Sequence, residues 1–330
     1  MVLRPYQARD LAGVGRVWEE CRICGDTLYR PFDEGYFTEK FIKTDCYEPE
    51  LVTVAEEDGR LLGFTAGCRK HSFLNNETES NTPGYLTTIM VLPQYRHRGI
   101  GSALLSALED ALRKLGKASI DVSSLNPIDL HWLIPGTPAH EHNNMPGVDE
   151  DSDAYGFLKA QGYRDTVHEV AMYLSLDGWH KSALVDQKRT ELAAQGIRAG
   201  LYDPAERCEW DTRCDRVGSE YWRKVLKDEL SSPAPRPILA ARHDGHIVGF
   251  TGPVDVESSG RGWFTGICTD PVYEKRGIAT VLFNDLMEQF VNVGAKYSSL
   301  FTGTENHAQR LYIKTGFRPA RHFAMLRKAL

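Results

Sequence analysis

The sequence predicts an α/β protein in two tandem domains, each an α+β mixed, mostly antiparallel sheet flanked by helices. Three observations lead there. One glycine-bearing loop is written twice, as Arg96-His97-Arg98-Gly99-Ile100-Gly101 and as Glu274-Lys275-Arg276-Gly277-Ile278-Ala279, each between an apolar run and a helix-like stretch. A hairpin signal is also written twice: Asp58-Gly59, flanked by apolar residues, returns as Asp244-Gly245 at an offset of 186 residues. The order of features then holds while the offset falls to 178 at Gly99 and Gly277 and to 154 at Gly162 and Gly316. The first half therefore carries two insertions, one within 70–84 and a longer one at 124–152. Surface loops accept such added length at little cost.

Each half opens with a short strand, over 2–4 and 197–201, followed by a helical region. In the first half Asp10 is a suitable N-cap, and Leu11, Val14, Val17 and Trp18 share one helix face. In the second the helical region runs from Pro204 to about 230, proline being favoured at a helix start. Hairpin strands follow at 51–55 and 61–66, and at 238–241 and 247–251. A fourth strand leads into each loop. The helix after it shows an apolar stripe, Leu104, Leu105, Leu108 and Leu112 in one copy and Leu282, Phe283, Leu286 and Phe290 in the other, closed by Gly116 and Gly294. Fifth strands at 118–122 and 297–301, short helices ending at Gly162 and Gly316, and last strands at 167–174 and 323–327 complete each plan. The domains so drawn are 1–176, a helical linker at 177–196, and 197–330.

Length and composition set bounds. The chain has 330 residues, enough for two domains of about 150. A formal net charge of −6, with no basic cluster, argues against nucleic acid as the partner. No apolar run approaches a membrane span, and the first residues lack signal-peptide architecture. Seven cysteines without framework spacing read as reduced thiols, so the expectation is a cytoplasmic protein, monomer or homodimer, with no membrane partner. Cys21-x-x-Cys24 has no second pair to make a metal site, and His140-x-His142 no third ligand at a familiar spacing.

A strand that turns through small residues into a helix points backbone N–H groups and the positive end of the helix dipole at one spot, a ready site for a diphosphate. In this setting the chain resembles the GCN5-related N-acetyltransferase (GNAT) superfamily in tandem form. The family loop is (Gln/Arg)-x-x-Gly-x-(Gly/Ala). The first half matches through Arg96, Gly99 and Gly101; the second matches at Gly277 and Ala279 with Glu274 in first place. The family's later Asn, Ala and Tyr before Gly-Phe are found as Asn306, Ala308, Tyr312 and Gly316-Phe317, whereas the first half has Leu158 where the tyrosine belongs.

The resemblance implies acetyl-CoA (coenzyme A) as ligand. In the first half Val91, Arg96, Arg98, Gly99, Ile100, Gly101 and Ser102 would hold it. In the second Thr269, Arg276, Gly277, Ile278, Ala279, Thr280 and Asn306 would do so. It also implies Tyr312 as the acid for a leaving thiolate, and a bulge in the fourth strand, at 90–92 and 268–270, whose N–H meets the thioester oxygen. An alkyl ammonium with a pKa near 10.4 must lose a proton before it attacks. Glu305 is carried forward as that base, with Asp121, Asp270, His131 and His140 as other candidates. The expected activity is direct transfer of an acetyl group to a small-molecule amine, with the chemistry leaning to the second half. A non-catalytic acyl-CoA-binding or sensing protein is the other reading. A loop as long as 124–152 inside a domain is expected to be functional, as a substrate cover.

Overall fold

The computed structural model describes residues 1–203 and 219–330. The chain divides into two compact units. One comprises Met1–Phe73, Glu77–Ala171 and Ala320–Leu330, the other Leu74–Asn76 and Met172–Pro319.

In the first unit β1 (Val2–Pro5) leads to α1 (Leu11–Ile23), whose Val14, Val17 and Trp18 are buried as the apolar spacing requires. Asp10 is buried ahead of α1. It accepts two bonds from Arg4, at 2.6 and 2.8 Å, and one from the Gln7 N–H at 2.8 Å. A short α2 (Glu34–Phe37) follows, capped by the Asp33 carboxylate. Strands β2 (Val52–Glu57) and β3 (Arg60–Arg69) meet at Asp58 (φ 49°) and Gly59 (φ 75°), left-handed at both central positions as a tight hairpin demands. Strand β4 (Gly84–Val91) pairs antiparallel with β3 and runs through a 3-10 turn into α3 (Ile100–Lys114). Strand β5 (Ser119–Val122) is the parallel neighbour of β4.

The 124–152 insert folds into a small hairpin, β6 (Trp132–Leu133) and β7 (Glu141–His142), and the short β8 (Val148–Asp149). Helix α4 (Asp153–Ala160) and the long β9 (Arg164–Ser175) follow. The insert has a core of its own. Trp132 is fully buried, its Nε1–H donates to the Asn144 carbonyl at 2.8 Å, and His142 stacks on it at 5.7 Å.

In the second unit α5 (Ala183–Ala194) precedes β10 (Arg198–Leu201). The helix start expected at Pro204 lies outside the described residues; α6 (Glu220–Leu230) occupies the later part of that stretch. Next come β11 (Leu239–His243) and β12 (His246–Gly252), joined at Asp244 (φ 50°) and Gly245 (φ 76°) like their counterparts. Strands β13 (Asp255–Val256), β14 (Arg261–Trp263) and β15 (Gly266–Thr269) lead through a 3-10 turn to α7 (Ile278–Asn292). The unit continues with β16 (Tyr297–Gly303), α8 (Gln309–Thr315) and the start of β17 (Arg318–Ala329). Strands β10, β11, β12 and β15 form an antiparallel sheet, while β14 pairs antiparallel with β13 and parallel with β16. From Ala320 onward β17 belongs to the first unit, where it lies between β5 and β9 and also pairs with β8. The last strands of both halves are longer than the apolar run suggested, because their exposed ends are polar yet still paired.

Two details show the repeat in the backbone. The hairpins slip register at the same place, between Ala55 and Glu56 and between Ala241 and Arg242. The fourth strand touches the fifth only at its start in both copies: Gly84 and Tyr85 face Ile120 and Asp121, and Arg261 and Gly262 face Tyr297 and Ser298.

Candidate active site

The place to look is where β4 leaves β5. Beyond Tyr85 the two strands are no longer paired, and a cavity of about 520 Å³ fills the gap. It lies wholly within the first unit. One wall is β4 from Leu86 to Val91. The opposite wall is Val122, Ser123, and α4 with Phe157 and Leu158. The Leu92 N–H donates to the Leu62 carbonyl on β3. By the alternation of the strand, Met90 also faces β3, while Val91 and Ile89 turn their amides to the open edge.

One end of the cavity is the 96–102 loop. His97 (φ 59°) and Gly99 (φ 80°) are left-handed, and nothing lies within 4 Å of where a Gly99 Cβ would sit. The first helical bond is Ala103 N–H to the Gly99 carbonyl, so the amides of Ile100, Gly101 and Ser102 are not used by the helix. Arg96 holds the turn from behind. It donates from Nε to the Val91 carbonyl at 3.0 Å and from a terminal nitrogen to Asp26 at 2.6 Å, and this pairing holds its guanidinium above the usual arginine value. The Cys21 thiol donates to the same carbonyl at 3.5 Å, and burial pushes its pKa up to about 11. Arg98 stacks on Tyr95 at 5.2 Å. Of the residues expected to hold a cofactor here, Val91, Arg96, Gly99, Gly101 and Ser102 line the cavity; Arg98 and the buried Ile100 do not.

The other end is built around Thr87. The strand bulge expected at 90–92 is not there. Ala66 faces Thr88 and Gly67 faces Leu86, which leaves Thr87 as the extra residue, while 88–91 pair regularly. Gly67 at this shift and Gly84 at the start of β4 sit so tightly on Leu108 and Leu112 of α3 that a Cβ at either would clash. Around Thr87 three segments converge. Tyr29 donates its hydroxyl to the Thr87 carbonyl at 3.2 Å, and burial pushes that phenol up to about 12. Asn126 Nδ2 donates to Thr87 Oγ1 at 3.0 Å, and its Oδ1 accepts the Ile128 N–H at 2.9 Å. The insert is tied to this wall by Leu133 N–H to the Leu28 carbonyl at 2.8 Å, and it lines the cavity with Asn126, Ile128, Leu130, Asn144 and Met145.

The second copy has the same backbone and a different setting. Lys275 (φ 60°) and Gly277 (φ 100°) repeat the left-handed turn, Arg276 stacks on Tyr273 at 5.0 Å, and the first helical bond is Val281 N–H to the Gly277 carbonyl. The irregularity expected at 268–270 falls at 264–265, between β14 and β15, whereas β15 pairs regularly with β12. Here, among the described residues, side chains pack close to the turn and to the strand before it. A Cβ built on Gly277 would stand 3.1 Å from the stem of Lys188 of α5, and one built on Gly266 would run into the Trp222 ring of α6. Thr269 Oγ1 is buried without a hydrogen-bond partner. Asn306 is spent locally, accepting the Ala308 N–H at 2.9 Å and donating to Thr302 at 2.9 Å. Tyr312 is buried against Phe283 and Phe317, with its phenol pushed up to about 12 by burial. Glu305 is exposed. Neither lines the cavity of the first unit.

The remaining candidates are engaged elsewhere. Asp121 forms a bidentate pair with Arg327 at 2.7 Å, Asp270 caps a 3-10 turn, and the His131 ring bonds Glu141 at 3.0 Å. Among the described residues no three His, Cys, Asp or Glu side chains gather to hold a metal ion, and no helix is long and apolar enough to cross a membrane. Thr27, Tyr29, Thr87 and Asn144 escaped sequence reasoning; only the length of the insert signalled any of them.

Residues 19–132 and 201–317, more than two thirds of the chain, match the model of the acetyltransferase (GNAT) family. The chain belongs to that family. Its tandem GNAT layout, with a mixed sheet flanked by helices in each copy, recurs in solved structures. One is a fungal multi-domain GH3 beta-N-acetylglucosaminidase described as having a GCN5-related glucosamine N-acetyltransferase region. It shows 16% identity and a TM-score of 0.72, over 99% of this chain and 38% of that one. A GCN5-related N-acetyltransferase from Sphaerobacter thermophilus has 19% identity and a TM-score of 0.62, over 99% and 95%. A tandem GNAT protein from the clavulanic acid biosynthesis pathway has 16% identity and a TM-score of 0.55, over 99% and 98%. At these identities the likeness is one of fold, and that fold supports acetyl transfer in general.

Proposed function

We propose that the first unit binds acetyl-CoA and transfers its acetyl group directly to the amine of a small molecule. The carrying observation is the open loop at one end of a cavity that runs between parted strands. In this reading the amides of Ile100, Gly101 and Ser102 hold the diphosphate. The outward amides of Ile89 and Val91 pair with the extended arm of the coenzyme, as an added strand would. The thioester then comes toward Thr87, and the acceptor enters between Tyr29 and the insert. Bound acetyl-CoA supplies the activated acyl group. The protein supplies position and a largely apolar enclosure. The relative described as a glucosamine N-acetyltransferase region agrees with a small amine as acceptor.

Calorimetric titration with acetyl-CoA tests the binding half of this reading. One coenzyme per chain is expected, and no heat of binding contradicts it. Release of free coenzyme thiol on adding amines tests the transfer half. A non-catalytic acyl-CoA sensor is the second reading, favoured by Leu158 standing on α4 where a tyrosine acid was expected. Binding without thiol release for any amine would select it.

A further inference from the structure

The two ends of the cavity differ in chemistry, and the difference bears on the acceptor. Thr87 and Val91 are four residues apart on β4, roughly 13 Å. Most titratable groups of the lining are held by other groups or stand in the loop. Asp26 is bound to Arg96 beside the Val91 carbonyl, the Cys21 thiol donates to that same carbonyl, and His97 is in the loop itself. Asp149 is held bidentately by Arg321, with both bonds at 2.8 Å. Asp153 is exposed in the first turn of α4.

Tyr29 and Asn126 bond to Thr87, and near them in the chain the lining, among the described residues, has Thr27, Ser123 and Asn144, interleaved with Leu28, Ile128, Leu130 and Met145. Their polar groups are hydroxyls and amides. Tyr29 donates its hydroxyl hydrogen bond to the Thr87 carbonyl, and Asn144 donates to the Ser124 carbonyl at 3.2 Å, leaving its Oδ1 to accept. The side chains bonded to Thr87 include neither a carboxylate to pair with a cation nor a group to take a proton at neutral pH.

An alkyl ammonium arriving there would be desolvated without a counter-charge, and only about one molecule in a thousand would be neutral at pH 7. Resting on the function proposed above, we infer that the acceptor is a weakly basic primary amine, such as an amino sugar or an alkoxyamine, and not a polyamine or a lysine side chain. Such an amine is substantially neutral before it binds. Its nitrogen attacks the thioester carbon, the C–N bond forms, the C–S bond breaks, and the proton released from nitrogen passes to the departing thiolate. Amine and acetyl thioester become amide and thiol, with no net proton. The hydroxyls of Thr27 and Ser123 and the Oδ1 of Asn144 suit an acceptor that carries hydroxyl groups and an apolar face.

The test is thiol release from acetyl-CoA with glucosamine and methoxyamine against cyclohexylamine and spermidine, over pH 6 to 9. At pH 7 the weakly basic pair should exceed the alkylamines in kcat/KM by roughly 100-fold. Over this range the rate with glucosamine should level off near the pKa of its own ammonium, the rate with methoxyamine should stay flat, and the rates with the alkylamines should keep rising by about tenfold per pH unit. Asn144→Asp, which adds a carboxylate at this end, should raise turnover of cyclohexylamine by about 10-fold. A preference for alkylamines, a midpoint fixed at one value for every acceptor, or no turnover of any amine overturns the inference. Coenzyme titration on the same preparation separates the two levels. Coenzyme binding with alkylamine preference removes this inference alone, whereas no coenzyme binding removes the proposed function as well.

Discussion

Gly99 and Gly277 open helices of equal length, 15 residues each, from the same left-handed turn, yet one faces a cavity and the other faces Lys188. The backbone of the glycine turn is thus kept in both units, while the space beside it is decided by what packs on top. In the first unit the segment from Thr27 to Tyr29 and the insert stand back from β4 and leave about 520 Å³. In the second, Lys188 packs beside Gly277, and Trp222 packs against Gly266, which stands where the first unit has Thr88. A duplicated loop is therefore no count of working sites.

The comparison can be broken most sharply at the two glycines. Valine in the left-handed region is strained and would crowd the amides of the turn. Gly99→Val should weaken acetyl-CoA binding by roughly 100-fold in calorimetry, and Gly277→Val should change it by less than about twofold. A large loss from Gly277→Val would move the coenzyme to the second unit. Next in size is the anchor behind the loop. Arg96→Ala takes from Asp26 its guanidinium partner, in a pair whose side chains are only 23% and 22% exposed, and leaves the Val91 carbonyl with the Cys21 thiol alone. It should cost about 2 kcal/mol of stability in denaturant unfolding and roughly 10-fold in coenzyme affinity, while Glu274→Ala should alter neither appreciably.

A smaller contrast separates the insert from the short 303–308 connection in the second unit. Glu141 is held below the usual carboxylate range, chiefly by its bond to His131 and further by Arg30. A carboxyl lowered in this way stabilises the fold above its unfolded value, and that contribution is lost as pH falls through the lowered one. Amide protection in 124–149, corrected for intrinsic rates, should drop by about threefold between pH 7 and pH 4, and protection in α7 should hold. The smallest effect is expected at Tyr312. If the first unit carries the chemistry, Tyr312→Phe changes kcat by less than about twofold, whereas a loss near 100-fold would give the second unit the catalytic acid.

The parts of this molecule that were legible in sequence are those set by local rules. The Asp-Gly hairpins, the apolar stripes of α3 and α7 and the glycine turns depend on neighbours within a few residues, and each was placed from the sequence. The position of the strand irregularity was not, because it lies in the pairing of β3 with β4, whose partners are far apart in sequence. Tyr29 meets Thr87 across 58 positions of chain, and no periodicity announces such a contact. The linker helix was readable as a helix packed on one side. That its Lys188 covers Gly277 depends on docking angle, which spacing does not encode. The insert was flagged by length alone, and its small hairpin carries too few residues to show a period.

The most direct test is a crystal structure of the protein soaked with acetyl-CoA. The account predicts a diphosphate on the amides of Ile100, Gly101 and Ser102, with the acyl arm running along β4 toward Thr87. A coenzyme found only on the amides of Ile278, Ala279 and Thr280, with Lys188 displaced, would contradict it.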